Sequence, residues 1–385
     1  MRALAGVRVL DLTRLLPGPF ASLVLADLGA QVDKIEDAGL GDYTRLSVPQ
    51  VGGMSTAFHA LNRGKRSAVV DLKNPGGPAV LTRLARHYDV LFEQFRPGVL
   101  DRLGIGHDAL RAANPRLIVC ALTGYGQTGP LRDRAGHDLN YLARAGILGL
   151  QGPDDGPPQL PAFQLADVSG GLWSVIGILA ALREREHTGQ GSLIDISMVE
   201  SVLPFATVTL SKIFGGEMPA RGGEMVTGGI APYQTYRTKD DEFMSIGALE
   251  PKFFMGFCRA VGIEADASLV VPGPHQVELK RRFAEVFAGK TRAEWEAFGQ
   301  LHDVCLEPVL RPDELRKDPL LAARGAFFEL ETGDGAVGQY RTPLTPHDLE
   351  PRPAPRQGEH TDAVLADAGF SDEEIAALRA SGAIR

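Results

Sequence analysis

Short apolar runs separated by stretches of helical spacing organise the first 200 residues of this chain. Residues 7–12 read as a strand, a turn follows at 13–18, and Pro19 suits the first position of a helix that ends at Gly29. Further strands are expected at 31–36, 68–71, 90–95 and 117–122, with helices between them. This βαβα order predicts the α/β class: a Rossmann-like parallel sheet with helices on both faces. A long helix is expected from Val168 to about Glu186, stopped by residues 188–191, with a strand at 193–196 and a helix over 198–214 after it.

Beyond 214 the pattern changes. Residues 215–229 hold six glycines in three pairs and read as a linker. Residues 233–237 and 243–249 alternate around Lys239, Asp240 and Asp241, which predicts an antiparallel hairpin. Helices follow, one opened by Pro251 and one by the capping box Thr291–Glu294. Three segments result: a large domain over 1–214, a smaller α+β domain over 225–310, and a C-terminal segment over 311–385. That last segment holds a Pro- and Arg-rich stretch and a helix capped by Ser371 and Glu374.

Composition narrows the function classes. The formal charge is −8, which argues against a generic nucleic-acid or anionic-membrane surface, so an anionic ligand needs a local basic pocket. Cys120, Cys258 and Cys305 are widely spaced, which excludes a disulfide framework and a cysteine zinc site and fits a reducing compartment. With no signal-peptide pattern, and no apolar run approaching the ~20 residues of a membrane span, a cytoplasmic location is expected.

Residues 124–129 match GxGxxG, but Pro130 follows at once and no acidic residue stands ~20 positions on, so a dinucleotide site is disfavoured. A turn that lets a ligand approach the backbone fits better. Just beyond it lies GHDLNY at 136–141, and later Asp167 stands before the long helix, where the helix dipole favours an ionised carboxylate. Gly170 and Gly171 weaken a first turn unless something packs close, and a thioester lying over it would explain them. Taken singly, an aspartate before a helix is most often an N-cap, and one histidine of nine is most often structural.

Together these segments resemble the family III CoA-transferase superfamily, the CaiB/BaiF group, over nearly the whole chain. The matching stretches are GVRVLDL at 6–12, PGP at 17–19, DLGA at 27–30, KIE at 34–36, NRGKRS at 62–67, RPGV at 96–99, TGYGQTGP at 123–130, Asp167, and GEHT at 358–361. The resemblance implies a Rossmann-like large domain, a small domain, a C-terminal segment that returns to the large domain, and an interlocked homodimer. It implies an acyl-CoA thioester as substrate, with CoA as part of that substrate and no permanently bound cofactor, metal, nucleic acid or membrane.

Two chemistries compete within the group. In the transferases the aspartate matching Asp167 attacks the thioester. In the α-methylacyl-CoA racemase branch it forms an acid/base pair with the histidine of a GHDxNY motif, here His137. ALEP at 248–251 is similar to the racemase segment whose glutamate, here Glu250, bonds that histidine. The catalytic candidates are therefore His137, Asp138, Asp167 and Glu250. The candidates for holding CoA are Arg63, Lys65, Arg66, Leu72, Lys73, Arg96, Gly124, Tyr125 and Tyr141. Phe163 departs from the branch, which carries asparagine near that position. An imidazole (reference pKa ~6.5) and a carboxylate can each exchange protons near neutrality, and backbone N–H groups at the helix start are candidates to stabilise the enolate oxygen. The favoured reading is a 2-methylacyl-CoA racemase. The alternatives are a family III CoA-transferase and a non-catalytic CoA-ester-binding homologue.

Overall fold

The computed structural model describes residues 2–264, 266–333 and 335–385, at 267 and 268 the backbone only. The chain divides into two compact units: Met1–Arg144, Phe163–Val202 and Pro319–Arg385 form the first, and Ala145–Ala162 and Leu203–Asp318 the second.

Six strands form the sheet of the first unit: β1 (Arg8–Asp11), β2 (Gln31–Glu36), β3 (Arg66–Val69), β4 (Val90–Glu93), β5 (Ile118–Thr123) and β6 (Leu193–Ser197). Their order across the sheet is β3-β2-β1-β4-β5-β6 and every pairing is parallel. β4 and β5 are buried along their whole length, because helices cover both faces of a parallel sheet. Sequence order reverses between β1 and β4, and in open α/β sheets such a switch point leaves a crevice beyond the strands' carboxyl ends. The loops after β1 and β4 meet there.

Three helices frame that crevice: α1 (Pro17–Asp27), α2 (Asp138–Arg144) and α3 (Leu165–Thr188). α3 runs 24 residues and ends at Gly189, whose φ of 72° turns the chain left-handed while its N–H bonds Arg185. By length and composition α3 is apolar enough to cross a membrane, which corrects the expectation that no run approaches a span. Half of that apolar window is buried inside the protein, as in a core helix.

The helix expected over 198–214 is broken into Met198–Ser201, a 3₁₀ turn at Leu203–Ala206, and Thr207–Phe214. Pro204 lacks the N–H that a continuous helix requires. The division between units falls at the same place, between Val202 and Leu203 rather than after 214. Residues 145–162 also join the second unit, where the Gly152 carbonyl packs 2.5 Å from where a Cβ on Gly222 would stand. The second unit holds an antiparallel sheet in which Tyr233–Arg237 and Phe243–Gly247 form a hairpin and Leu306–Pro308 adds an edge. Its core is aromatic, with Phe254, Phe257, Phe283, Phe287 and Trp295 all buried. In the first unit the chain's last residues return to β3's edge: His360 N–H donates to the Ser67 carbonyl and Ile384 bridges Val70.

Candidate active site

A cleft of about 680 Å³ opens at the switch point within the first unit. Arg14 comes to it from the loop after β1, Arg96 from the loop after β4, and His137, Tyr141 and Asp167 from the segments beyond β5. His137 and Asp167, 30 positions apart in sequence, therefore share one cleft.

Each residue of the GHDLNY motif has a physical task. The Asn140 side chain accepts a hydrogen bond from the His137 N–H at 3.0 Å, and the His137 carbonyl accepts from Asn140 and Tyr141 to open α2. This pins the backbone of an exposed imidazole. Tyr141 is buried and donates its hydroxyl to the Gly136 carbonyl at 2.5 Å. A Cβ on Gly124 would come within 2.5 Å of the Tyr141 ring and one on Gly136 within 2.7 Å. Gly124 is thus small enough to seat Tyr141, and it also lines the cleft. The glycines at 124–129 open no helix; loop continues to α2. Tyr125 meets Tyr141 edge-on at 5.3 Å and also lines the cleft.

Asp167 lies inside the first turn of α3, because the helix begins at Leu165 and not after the aspartate. It is not the cap. Asp138 takes that part: its Oδ1 accepts from the Ala166 N–H at 2.7 Å and the Asp167 N–H at 3.1 Å. Asp138 is buried and lies outside the cleft lining, which corrects its place among the reacting groups. Burial raises the Asp167 carboxyl to about 7, and the nearby Asp138 carboxylate adds to the rise. The expectation that the helix dipole would favour the ionised form is corrected accordingly: desolvation and a like charge outweigh it. The helix-start donors proposed for an enolate oxygen are also engaged, Ala166 and Asp167 by Asp138 and Val168 by the Gln164 carbonyl.

Sequence similarity now adds to this geometry. The profile of CoA-transferase family III matches residues 4–361. The chain belongs to CoA-transferase family III. Human α-methylacyl-CoA racemase is 40% identical over 97% of this chain and 95% of its own. A succinate–glutarate CoA-transferase from Agrobacterium fabrum is 35% identical over 94% of this chain and 95% of its own. The crystal structure of a CaiB/BaiF family protein from Brucella suis superposes with a TM-score of 0.83 at 32% identity, covering 95% of this chain and 99% of that one.

The family III residues expected to bind CoA separate into two groups. Leu72 and Lys73 line a second cleft of about 460 Å³, which shares Arg14, Gln94, Phe95 and Val99 with the first. Lys73 and Arg96 are exposed, and Arg14 and Arg102, which sequence reasoning passed over, are exposed cations beside them. The signal for Arg14 was its place just after β1, on the ligand side of such sheets, whereas Arg102 ends the short helix Val99–Arg102.

The loop Arg63–Arg66 is instead committed internally. Arg63 is fully buried against Asp27 at 2.7 Å. Lys65, also buried, donates to the Pro19 carbonyl, Ser22 and Asn62. Arg66 pairs with Asp33 and Asp367 at 2.6 and 2.8 Å. Removing any of these cations from its partner would leave a buried charge uncompensated, so the expectation of a phosphate-binding loop is corrected. Glu250 lies in the second unit, exposed before the helix Pro251–Val261, with its carbonyl accepting from Phe253 and Phe254.

Gly170 and Gly171 in α3 serve packing. A Cβ on Gly171 would stand 2.7 Å from the Pro17 carbonyl oxygen, and one on Gly170 2.8 Å from Met198 Cγ. The thioester expected over this turn is not needed to explain them. Because a backbone carbonyl yields less than a flexible methionine, Gly171→Ala should destabilise by about 1–3 kcal/mol and Gly170→Ala by less. Urea midpoints of the two variants check that ranking. Among the described residues no cluster of three His, Cys, Asp or Glu side chains could hold a metal.

Proposed function

We propose that this family III enzyme is an α-methylacyl-CoA racemase-like isomerase that moves the α-proton of a 2-methylacyl-CoA thioester. One observation carries the reading: the imidazole of His137 and the carboxyl of Asp167 line a single cleft. The α-proton beside a thioester is weakly acidic, and inversion needs a base on one face of the planar enolate and an acid on the other. In one direction the ionised Asp167 takes the proton, the C–H electrons pass into the enolate, and the imidazolium of His137 returns a proton to the opposite face. The reverse direction exchanges the roles. A carboxyl near 7 suits this, since both its forms are populated at neutral pH.

The neighbouring 460 Å³ cleft is proposed to take CoA, with Lys73, Arg102 and Arg14 as cations toward its phosphates. A homodimer is proposed as well, supported by Leu172 and Ile176, which stand 38 and 52% exposed on α3. The three cysteines are free, in keeping with the proposed cytoplasmic location.

The CoA-transferase reading rests on the same Asp167 and on relatives such as the Agrobacterium enzyme. There the carboxylate oxygen attacks the thioester carbon, CoA leaves as the thiolate, and an acyl anhydride remains on Asp167. Deuterium wash-in at the α-carbon of 2-methylacyl-CoA esters tests the choice. Exchange without release of CoA is the expected result, whereas free CoA with a hydroxylamine-trappable acyl-enzyme would favour transfer. Binding of every ester without exchange or transfer would leave only the non-catalytic homologue.

A further inference from the structure

We propose that Asp138 is a positioning residue whose buried carboxylate ties the His137 loop to the first turn of α3 and so holds the two exchange groups in register. The inference rests on the two-base reading and deepens it.

Helix starts are ordinarily capped by the residue just before them. Gln164 stands at that position in α3, and among the described residues its side chain makes no capping bond. The cap comes instead from 28 positions upstream, as one oxygen of Asp138 accepts from both Ala166 and Asp167. Asp138 is the next residue after His137, whose own backbone Asn140 holds. One side chain therefore fixes the backbone of Asp167 relative to the backbone of His137. Neither group needs a direct bond to the other, and the space between them stays open for a substrate.

The clamp also places a charge. Asp138 is the like charge that adds to burial in raising the Asp167 carboxyl. The other titratable groups sharing the cleft are Arg14 and Arg96 from the loops after β1 and β4, and Arg132, Arg134 and His137 from the loop before α2. Tyr125 and Tyr141 complete the set, and burial followed by Asp167 pushes Tyr141 up to about 12, so it stays protonated. Asp138 thus works in two ways that substitution can separate. Asparagine retains the acceptor oxygen and removes the charge, whereas alanine removes both.

Infrared titration of the Asp167 carboxyl, its band assigned by loss in Asp167→Asn, reads the charge directly in wild type and Asp138→Asn. The midpoint is expected to fall by about 1 pH unit in Asp138→Asn, because loss of a like charge favours the ionised carboxylate. The acid limb of α-proton exchange should move down with it. Asp138→Ala should lower kcat by about 10-fold or more with KM changed less than about twofold, and Asp138→Asn should recover most of that loss. An unmoved midpoint in Asp138→Asn, or an unchanged kcat in Asp138→Ala, would overturn the proposal. If the wild-type enzyme exchanges no α-proton with any ester, the racemase reading fails, while the infrared midpoint still decides whether Asp138 acts on Asp167.

Discussion

Alanine at His137 is expected to slow α-proton exchange by about 10²–10⁴-fold, the range a positioned acid or base contributes. The imidazole is exposed in the cleft while its backbone is fixed by Asn140, so its removal takes away a proton carrier without removing a structural contact. Stability should change little, and CoA-ester affinity should be retained, since the second cleft is lined by other residues. Wash-in of deuterium measured alongside transfer of CoA to a free acid separates the readings. Loss of exchange in His137→Ala supports the two-base scheme, whereas full-rate transfer by the same variant would mean that Asp167 works alone as a nucleophile.

Asp167→Asn should lose exchange by a similar factor and, unlike His137→Ala, should gain stability above neutral pH. The carboxyl has an ordinary value of 3.8 and is raised to about 7 in the fold. A group raised in the folded state contributes its stability below the unfolded value, and that contribution is lost as pH rises through the folded one. Ionised Asp167 therefore strains the native state above about pH 7, while below about pH 4 the carboxyl is neutral in both states. Replacing it with a neutral amide is expected to stabilise by roughly 4 kcal/mol at pH 8 and by little at pH 4. Urea unfolding at the two pH values checks this; an equal effect at both would mean that the gain comes from packing and not from charge. Such a trade between stability and activity is expected where a site holds a group in a costly ionisation state.

Much of the fold was legible because the parallel sheet depends on short-range signals. The strands at 90–95 and 117–122 open on apolar runs, because helices cover both faces of the sheet there, whereas 31–36 shows through only Val32 and Ile35 among polar residues. The break in the 198–214 helix was legible too, at Pro204, whose ring and missing N–H interrupt a continuous helix. The boundary between units was harder, since segment 145–162 joins residues of the second unit through contacts that no periodicity records.

For the site, sequence alone determined that His137, Asp167 and their motif belong to an acyl-CoA family, because residue identity and order carry that resemblance. The tertiary structure decided which charges are available. Arg63, Lys65 and Arg66 read as a basic patch, yet each is neutralised by residues distant in the chain, and a cation's availability depends on the partners that surround it. Asp167 read as an ionised carboxylate at a helix start, yet burial and Asp138 raise it toward neutrality. Solvent exclusion and through-space charge are properties of three-dimensional neighbours, and the linear order of residues does not contain them.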